Sequence, residues 1–165
     1  MKTIYLVRHA KSSWKNPQLD DIDRPLNKRG KRDAPFMGKL LKEKGIRPDL
    51  MITSPAKRAY STAEYFASEI NYPLKEIQTN KDLYDADADN ILTLIKKTDD
   101  NIKSIMIFGH NPGLTNVQNF ICKKHIDNIP TSAVVSLGLN VDHWNQIKQN
   151  SCELEFFGFP QKYLK

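Results

Sequence analysis

Residues 1–14 read MKTIYLVRHAKSSW, and the fold turns on how that stretch is read. Ile4-Tyr5-Leu6-Val7 is a continuous apolar run that passes straight into Arg8 and His9 with no turn residue between them. A run this short suits a strand buried on both faces of a parallel sheet. Its polar end is either a strand surfacing into solvent or a reactive pair delivered to a site.

Working outward, runs of the same kind stand at 50–53, 105–108 and 133–139, with helical patterns between them. Residues 54–71 place Ala59, Ala63, Phe66, Ala67 and Ile70 on one face. Ser54 reads as the N-cap of that helix and Pro55 as its first helical residue. Residues 87–98 repeat the device, with Asp87 or Asp89 as cap and Ala88, Ile91, Leu92 and Ile95 as the stripe. After His110, Pro112 suits a first helical turn, with Leu114, Val117, Phe120 and Ile121 facing inward.

Residues 27–44 read as a helix with Met37, Leu40 and Leu41 inside, but Pro35 interrupts them. The helix either starts at Asp33, or starts near Asn27 and kinks at the proline. Residues 141–157 alternate weakly between Asn-rich turns and read as an antiparallel hairpin at a sheet edge. The expectation is one α/β domain over residues 1–165. It is a three-layer α/β/α sandwich, with a mainly parallel central sheet and an antiparallel C-terminal edge hairpin.

Composition narrows the partners. The 25 Lys and Arg against 19 Asp and Glu leave a net charge of +6. That excess favours an anionic ligand without requiring nucleic acid, and no basic-aromatic recognition pattern accompanies it. The basic cluster Lys28-Arg29-Lys31-Arg32 reads as a docking patch or, the preferred reading, a solvated face. No apolar stretch approaches the ~18 residues of a membrane span, and MKTIYLVRHAK is not a signal peptide. Cys122 and Cys152 lack metal spacing and read as either a lone disulfide or, the preferred reading, two reduced, buried thiols. A cytoplasmic monomer is expected, with no metal and no cofactor.

In open α/β sheets, ligands collect beyond the carboxyl ends of the strands. There the first run ends in Arg8-His9, and the second in Ser54-Pro55 with Arg58 one turn into the next helix. The third ends in Gly109-His110-Asn111-Pro112-Gly113. If the three strands are parallel neighbours, two histidines and two arginines share one rim. His125 and His143 follow no core strand and read as packed or surface residues. Arginine offers a planar fork for phosphate oxygens, and helix N-termini add unpaired N–H groups. A neutral imidazole among cations is a competent nucleophile towards phosphorus. The pattern predicts phosphoryl transfer through a phosphohistidine intermediate. No Gly-rich nucleotide loop is present, so ATP is not the expected donor.

These residues also match a family. Leu6-Val7-Arg8-His9-Ala10-Lys11-Ser12 resembles the RHG/RHA signature of the histidine phosphatase superfamily, also called phosphoglycerate mutase-like. Ser54-Pro55-Ala56-Lys57-Arg58-Ala59 with Ser61-Thr62-Ala63 is similar to its second motif, and Gly109-His110-Asn111-Pro112-Gly113-Leu114 to its third. Arg24-Pro25-Leu26, Gly30 and Ala34 resemble the segment after the first motif. Within the superfamily, the A-K-S ending, the H-N-P-G-L motif and the short chain resemble the SixA-type phosphohistidine phosphatases.

The resemblance implies that His9 is the nucleophile and that Arg8, Arg58 and His110 clamp the phosphoryl oxygens, with Asn111 among the phosphate-binding residues. Its substrate would be phosphohistidine in a protein, or a small phosphorylated compound. Many family members carry a glutamate in an L-x-E stretch that protonates the leaving oxygen, where this chain has Leu83-Tyr84-Asp85. Asp85 is therefore the candidate acid, although Asp85, Asp87 and Asp89 also read as a solvated helix cap.

Lys11 stands where mutases carry an acidic residue, and the stretch from Arg58 to His110 leaves little room for a cap, so a shallow, open pocket is expected. Two other readings compete. Metal-assisted hydrolysis by His9, His110 and an aspartate is opposed by two arginines at the same rim. A non-catalytic phosphate-binding module would keep the pocket without turnover.

Overall fold

The computed structural model describes residues 1–164. The opening run forms β1 (Lys2–Arg8), and the other apolar runs form β2 (Leu50–Thr53), β4 (Ser104–Gly109) and β5 (Val134–Leu139). Two strands complete the sheet: β3 (Gln78–Thr79), which carries no apolar signal, and β6 (Cys152–Gly158). Their order is β3-β2-β4-β1-β5-β6. The neighbours β3, β2, β4 and β1 run parallel, while β5 and β6 are antiparallel additions. The three strands that end in cationic residues are therefore adjacent and point the same way.

Alternation along the strands builds two cores, because successive side chains leave opposite faces. Ile4, Leu6, Ile105 and Ile107 pack against α3 (Ala88–Lys96) and α4 (Gly113–Ile121) through Ile91, Ile95, Leu114 and Val117. On the other face, Val7, Met51, Met106 and Phe108 meet α1 (Lys28–Glu43) and α2 (Lys57–Ile70) through Met37, Leu41, Ala63 and Phe66. The three-layer expectation holds. A short C-terminal helix, α5 (Pro160–Tyr163), follows the edge strand.

One open choice is settled and three local expectations change. Helix α1 starts at its Asn27 cap, whose side chain accepts the Gly30 N–H at 2.8 Å, and runs through Pro35. Helix α2 begins two residues later than its Ser-Pro signal, at Lys57. Ser54 still donates its N–H to Phe108 in the β4 ladder, so the chain is extended there. The run at 133–139 is buried as expected but pairs antiparallel with β1, because a strand buried on both faces reads alike in either direction. The edge hairpin consequently joins β5 to β6, and residues 140–151 connect them through a turn at Trp144–Gln146. Phe120 is 41% exposed, since α4 buries positions 114, 117, 118 and 121 and Phe120 lies off that stripe.

Two glycines bring segments close. A Cβ on Gly30 would collide with the Lys11 carbonyl, so glycine lets α1 seat against the loop after β1. A Cβ on Gly113 would collide with the Ala86 carbonyl, so α4 abuts the loop that carries Tyr84 and Asp85. The basic run at 28–32 is exposed on α1, with Arg29 and Arg32 pairing to the buried Asp33. Cys122 and Cys152 are free, buried and on bridged backbone segments. Burial pushes the Cys152 thiol up to about 12. No helix among the described residues is long and apolar enough to cross a membrane.

Candidate active site

The carboxyl end of β1 is held by main chain on both sides. The His9 N–H donates to Gly109 of β4 at 3.1 Å, and the Arg8 N–H donates to Ala133 at 3.2 Å. Ser132 bends back at φ 63° and donates its N–H to the carbonyls of both Arg8 and His9, at 3.1 and 3.2 Å. Thr62 ties this end to α2: its hydroxyl accepts the Ala10 N–H at 2.9 Å and donates to the Arg58 carbonyl at 2.7 Å.

His9 itself is buried, and its Nδ1 lies 2.7 Å from the Ala10 carbonyl. A carbonyl can only accept, so the neutral ring carries its proton on Nδ1 and keeps a free lone pair on Nε2. Burial lowers the ring's pKa to about 3, and His110, Arg58 and Arg8 push in the same direction against the Ala10 hydrogen bond. His110 comes from the end of β4, its ring centroid 5.1 Å from that of His9. Its Nε2 lies 2.8 Å from the Ser54 hydroxyl. That hydroxyl already accepts the Ala56 N–H at 3.2 Å, so its own hydrogen is free for His110. With Ser54 donating, the ring proton of His110 sits on Nδ1. Burial and the Arg58 charge lower the His110 pKa to about 4.

Arg8 donates from Nη1 to the Ile129 carbonyl at 3.0 Å. The same carbonyl accepts Nδ2 of Asn111 at 2.9 Å. Asn111 also donates to Asn128 and accepts from Thr115, so both ends of its amide are engaged in the turn. Arg58 projects from the first turn of α2 and is held by Asp21, through the carbonyl at 2.7 Å and Oδ2 at 3.0 Å.

Four buried side-chain N or O atoms lack a partner among the described residues: Arg8 Nε, His110 Nδ1, Ser132 Oγ and Gln118 Oε1. The first three lie at this strand end. Buried polar atoms without a partner are rare, and a cluster of donors calls for an acceptor. The sequence-predicted residues Arg8, His9, Arg58, His110 and Asn111 are thus brought to one rim. Asp85 stands on the adjoining turn at φ 55°, exposed to solvent. His125 and His143 lie outside the site, paired with Asp127 and Asp100.

Sequence reasoning missed two members. Asp21 sits on a short 3-10 turn at Asp21–Asp23, and its carboxylate accepts the Tyr84 hydroxyl at 2.6 Å and Arg24 Nη1 at 2.8 Å. The Tyr84 ring stands edge-on to His110 at 5.8 Å. Led by the Tyr84 hydrogen bond, these donors hold the Asp21 carboxyl down to about 2, and the carboxylate raises Tyr84 to about 12. The L-x-E-like stretch therefore reaches the rim through its tyrosine. Arg24 extends the network outward by bonding to Ser12 and stacking on the exposed Trp14, 3.3 Å above the ring.

These shifts fix an acid response. Unfolded, the two rings bind protons near 6.5; folded, near 3 and 4. Between those values the unfolded chain holds more protons, so stability rises with pH and falls as pH drops below 6.5. Asp21 adds loss in the same direction from 3.8 down to about 2. Urea unfolding at a series of pH values should show a steady decline from about pH 7 to about pH 4. A flat profile over that window would refute two neutral buried imidazoles.

Comparison with known proteins agrees with the geometry. The chain matches the histidine phosphatase superfamily (branch 1) over residues 4–104. It is similar to an uncharacterised chloroplastic protein of Arabidopsis thaliana, 29% identical over 120 residues. That alignment covers 68% of this chain and 55% of the relative, so the chain spans just over half of that protein's length. Among solved structures, a SixA from Agrobacterium tumefaciens superposes with a TM-score of 0.82 at 27% identity, covering 96% of this chain and 98% of that one. The protein histidine phosphatase SixA in complex with tungstate has the same fold, with a TM-score of 0.83 at 19% identity over 97% and 98% of the two chains. Strand order, motif placement and family match agree: the chain belongs to the histidine phosphatase superfamily.

Proposed function

We propose that the protein is a phosphatase that hydrolyses phosphohistidine in proteins through a covalent phosphoryl group on His9. The observation that carries this reading is the unprotonated Nε2 of a buried His9, beside unpartnered Arg8 Nε and His110 Nδ1. Nε2 attacks phosphorus as the bond to the leaving group breaks, and the leaving group keeps that bond's electron pair. The Nδ1–H on the Ala10 carbonyl stabilises the ring as it gains positive character. Arg8, Arg58 and His110 neutralise the phosphoryl oxygens, and each such donor is typically worth ~3–4 kcal/mol in the transition state. Water then attacks the phosphohistidine, its proton leaves with solvent, and free phosphate returns His9 to its neutral form.

Asn111 supports the phosphate site by fixing the turn that carries His110. The clamp uses guanidinium and imidazole groups alone, so this chemistry calls for no metal. Similarity to the SixA of Agrobacterium tumefaciens supports the phosphohistidine substrate.

The test is a substrate panel in the presence of a chelator: a phosphohistidine peptide, a phosphoserine peptide, and sugar and nucleotide phosphates. Fastest turnover is expected on the phosphohistidine peptide, together with an acid-labile, base-stable phosphoryl group trapped on the protein. Preference for a sugar or nucleotide phosphate would assign a metabolite phosphatase instead. Failure to trap any phosphoryl group would sink the covalent route.

A further inference from the structure

Asp21 is the point on which the rim converges, and the chemistry described so far uses it only as a brace. Oδ1 accepts from Arg24, Oδ2 accepts from Arg58 and Tyr84, and the main-chain carbonyl accepts a second bond from Arg58. Three bonds pin the carboxylate, yet 47% of the side chain remains exposed. A fixed anion therefore stands against the clamp on its solvent side. The leaving group of an in-line attack departs opposite His9, and the exposed half of Asp21 is open to a group that leaves the rim for solvent.

A phosphoimidazole is a substrate that benefits from such an anion. With its distal nitrogen protonated, the ring is a cation, and it departs as neutral imidazole when the P–N electron pair returns to nitrogen. Without that proton it would depart as imidazolate, a far poorer leaving group. A carboxylate that accepts the distal N–H keeps the ring protonated. Arg24, Arg58 and Tyr84 face Asp21 from the neighbouring segments, and His110 lies within its electrostatic reach. None of these is an anion, and Asp85 on the next turn has no bond to the clamp.

We propose that Asp21 selects the leaving group: its carboxylate accepts the distal N–H of a phosphohistidine ring, supplying through the substrate's own proton what a general acid supplies elsewhere. The same charge disfavours phosphomonoesters with anionic bodies. This inference rests on the phosphohistidine reading above.

The test compares two substrates on the full chain carrying Asp21→Asn: a phosphohistidine peptide and p-nitrophenyl phosphate, whose phenolate leaves without a proton. Loss of Arg58 positioning lowers both rates alike. Loss of the leaving-group contact lowers kcat/KM on the peptide about tenfold further, the loss of one hydrogen bond to a charged group. It also makes the peptide rate decline at a lower pH than in the parent. Asp21→Ser should show the same selective loss and Asp21→Glu should retain selectivity, with circular dichroism checking the fold of each. Equal losses on both substrates would overturn the proposal and leave Asp21 a brace for Arg58. If the parent protein hydrolyses the ester but not the peptide, the phosphohistidine reading fails and this proposal falls with it.

Discussion

Replacing His9 by alanine should reduce phosphate release by roughly 10⁴-fold or more, the scale seen when a covalent nucleophile is removed. No neighbour can take its place. The other imidazole at the rim, His110, has its Nε2 engaged by Ser54, and with Ser54 donating it presents a donor rather than a lone pair. The variant should also fail to acquire the acid-labile phosphoryl group. Binding of a phosphate analogue should weaken far less, because Arg8, Arg58 and His110 remain. Phosphate release and analogue binding, measured on one preparation, separate loss of chemistry from loss of fold. A variant within tenfold of the parent rate would end the assignment of His9 as nucleophile.

Arg58→Ala should lower kcat by about 10²–10³-fold, the usual effect of removing one preorganised donor from developing charge. The expected split is informative, because a clamp on the transition state affects kcat more than KM. Arg58→Lys should recover little. An ammonium cannot span the Asp21 carbonyl and carboxylate while also presenting a planar fork to phosphate. Equal activity of the lysine and arginine forms would show that charge alone matters there, and steady-state kinetics on a chromogenic phosphomonoester would reveal it.

Much of this arrangement was legible in the residues because its signals are local. The runs behind β1, β2 and β4 are short, apolar and continuous, and each leads at its carboxyl end to a candidate residue, directly to Arg8-His9 and His110 and through the first turn of α2 to Arg58. Parallel neighbours were enough to bring Arg8, His9, Arg58 and His110 together. What escaped the reading depends on contacts between distant segments. Asp21 lies 37 residues from Arg58 and 63 from Tyr84, in a turn whose composition resembles any solvated loop. The direction of β5 escaped for another reason, since a fully buried strand carries no polarity mark of its own. Ser54 was recognised as a helix signal, yet its hydroxyl serves His110, because the strand ladder extends one residue beyond the apolar run.

The turn at Ser132 gives His9, the proposed nucleophile, an anchorage independent of the side chains around it. Peptide groups of residues 109, 132 and 133 hold the backbone of Arg8 and His9, and peptide groups do not change when side chains are exchanged. Asp21 and Tyr84 reach the rim from other loops, so they can be rebuilt without moving the His9 backbone. The backbone that holds His9 and the loops that bring Asp21 and Tyr84 to the rim are thus separable parts of one scaffold. A redesign for a different phosphorylated compound would begin at positions 14, 21, 24 and 84 and leave the strand ends untouched.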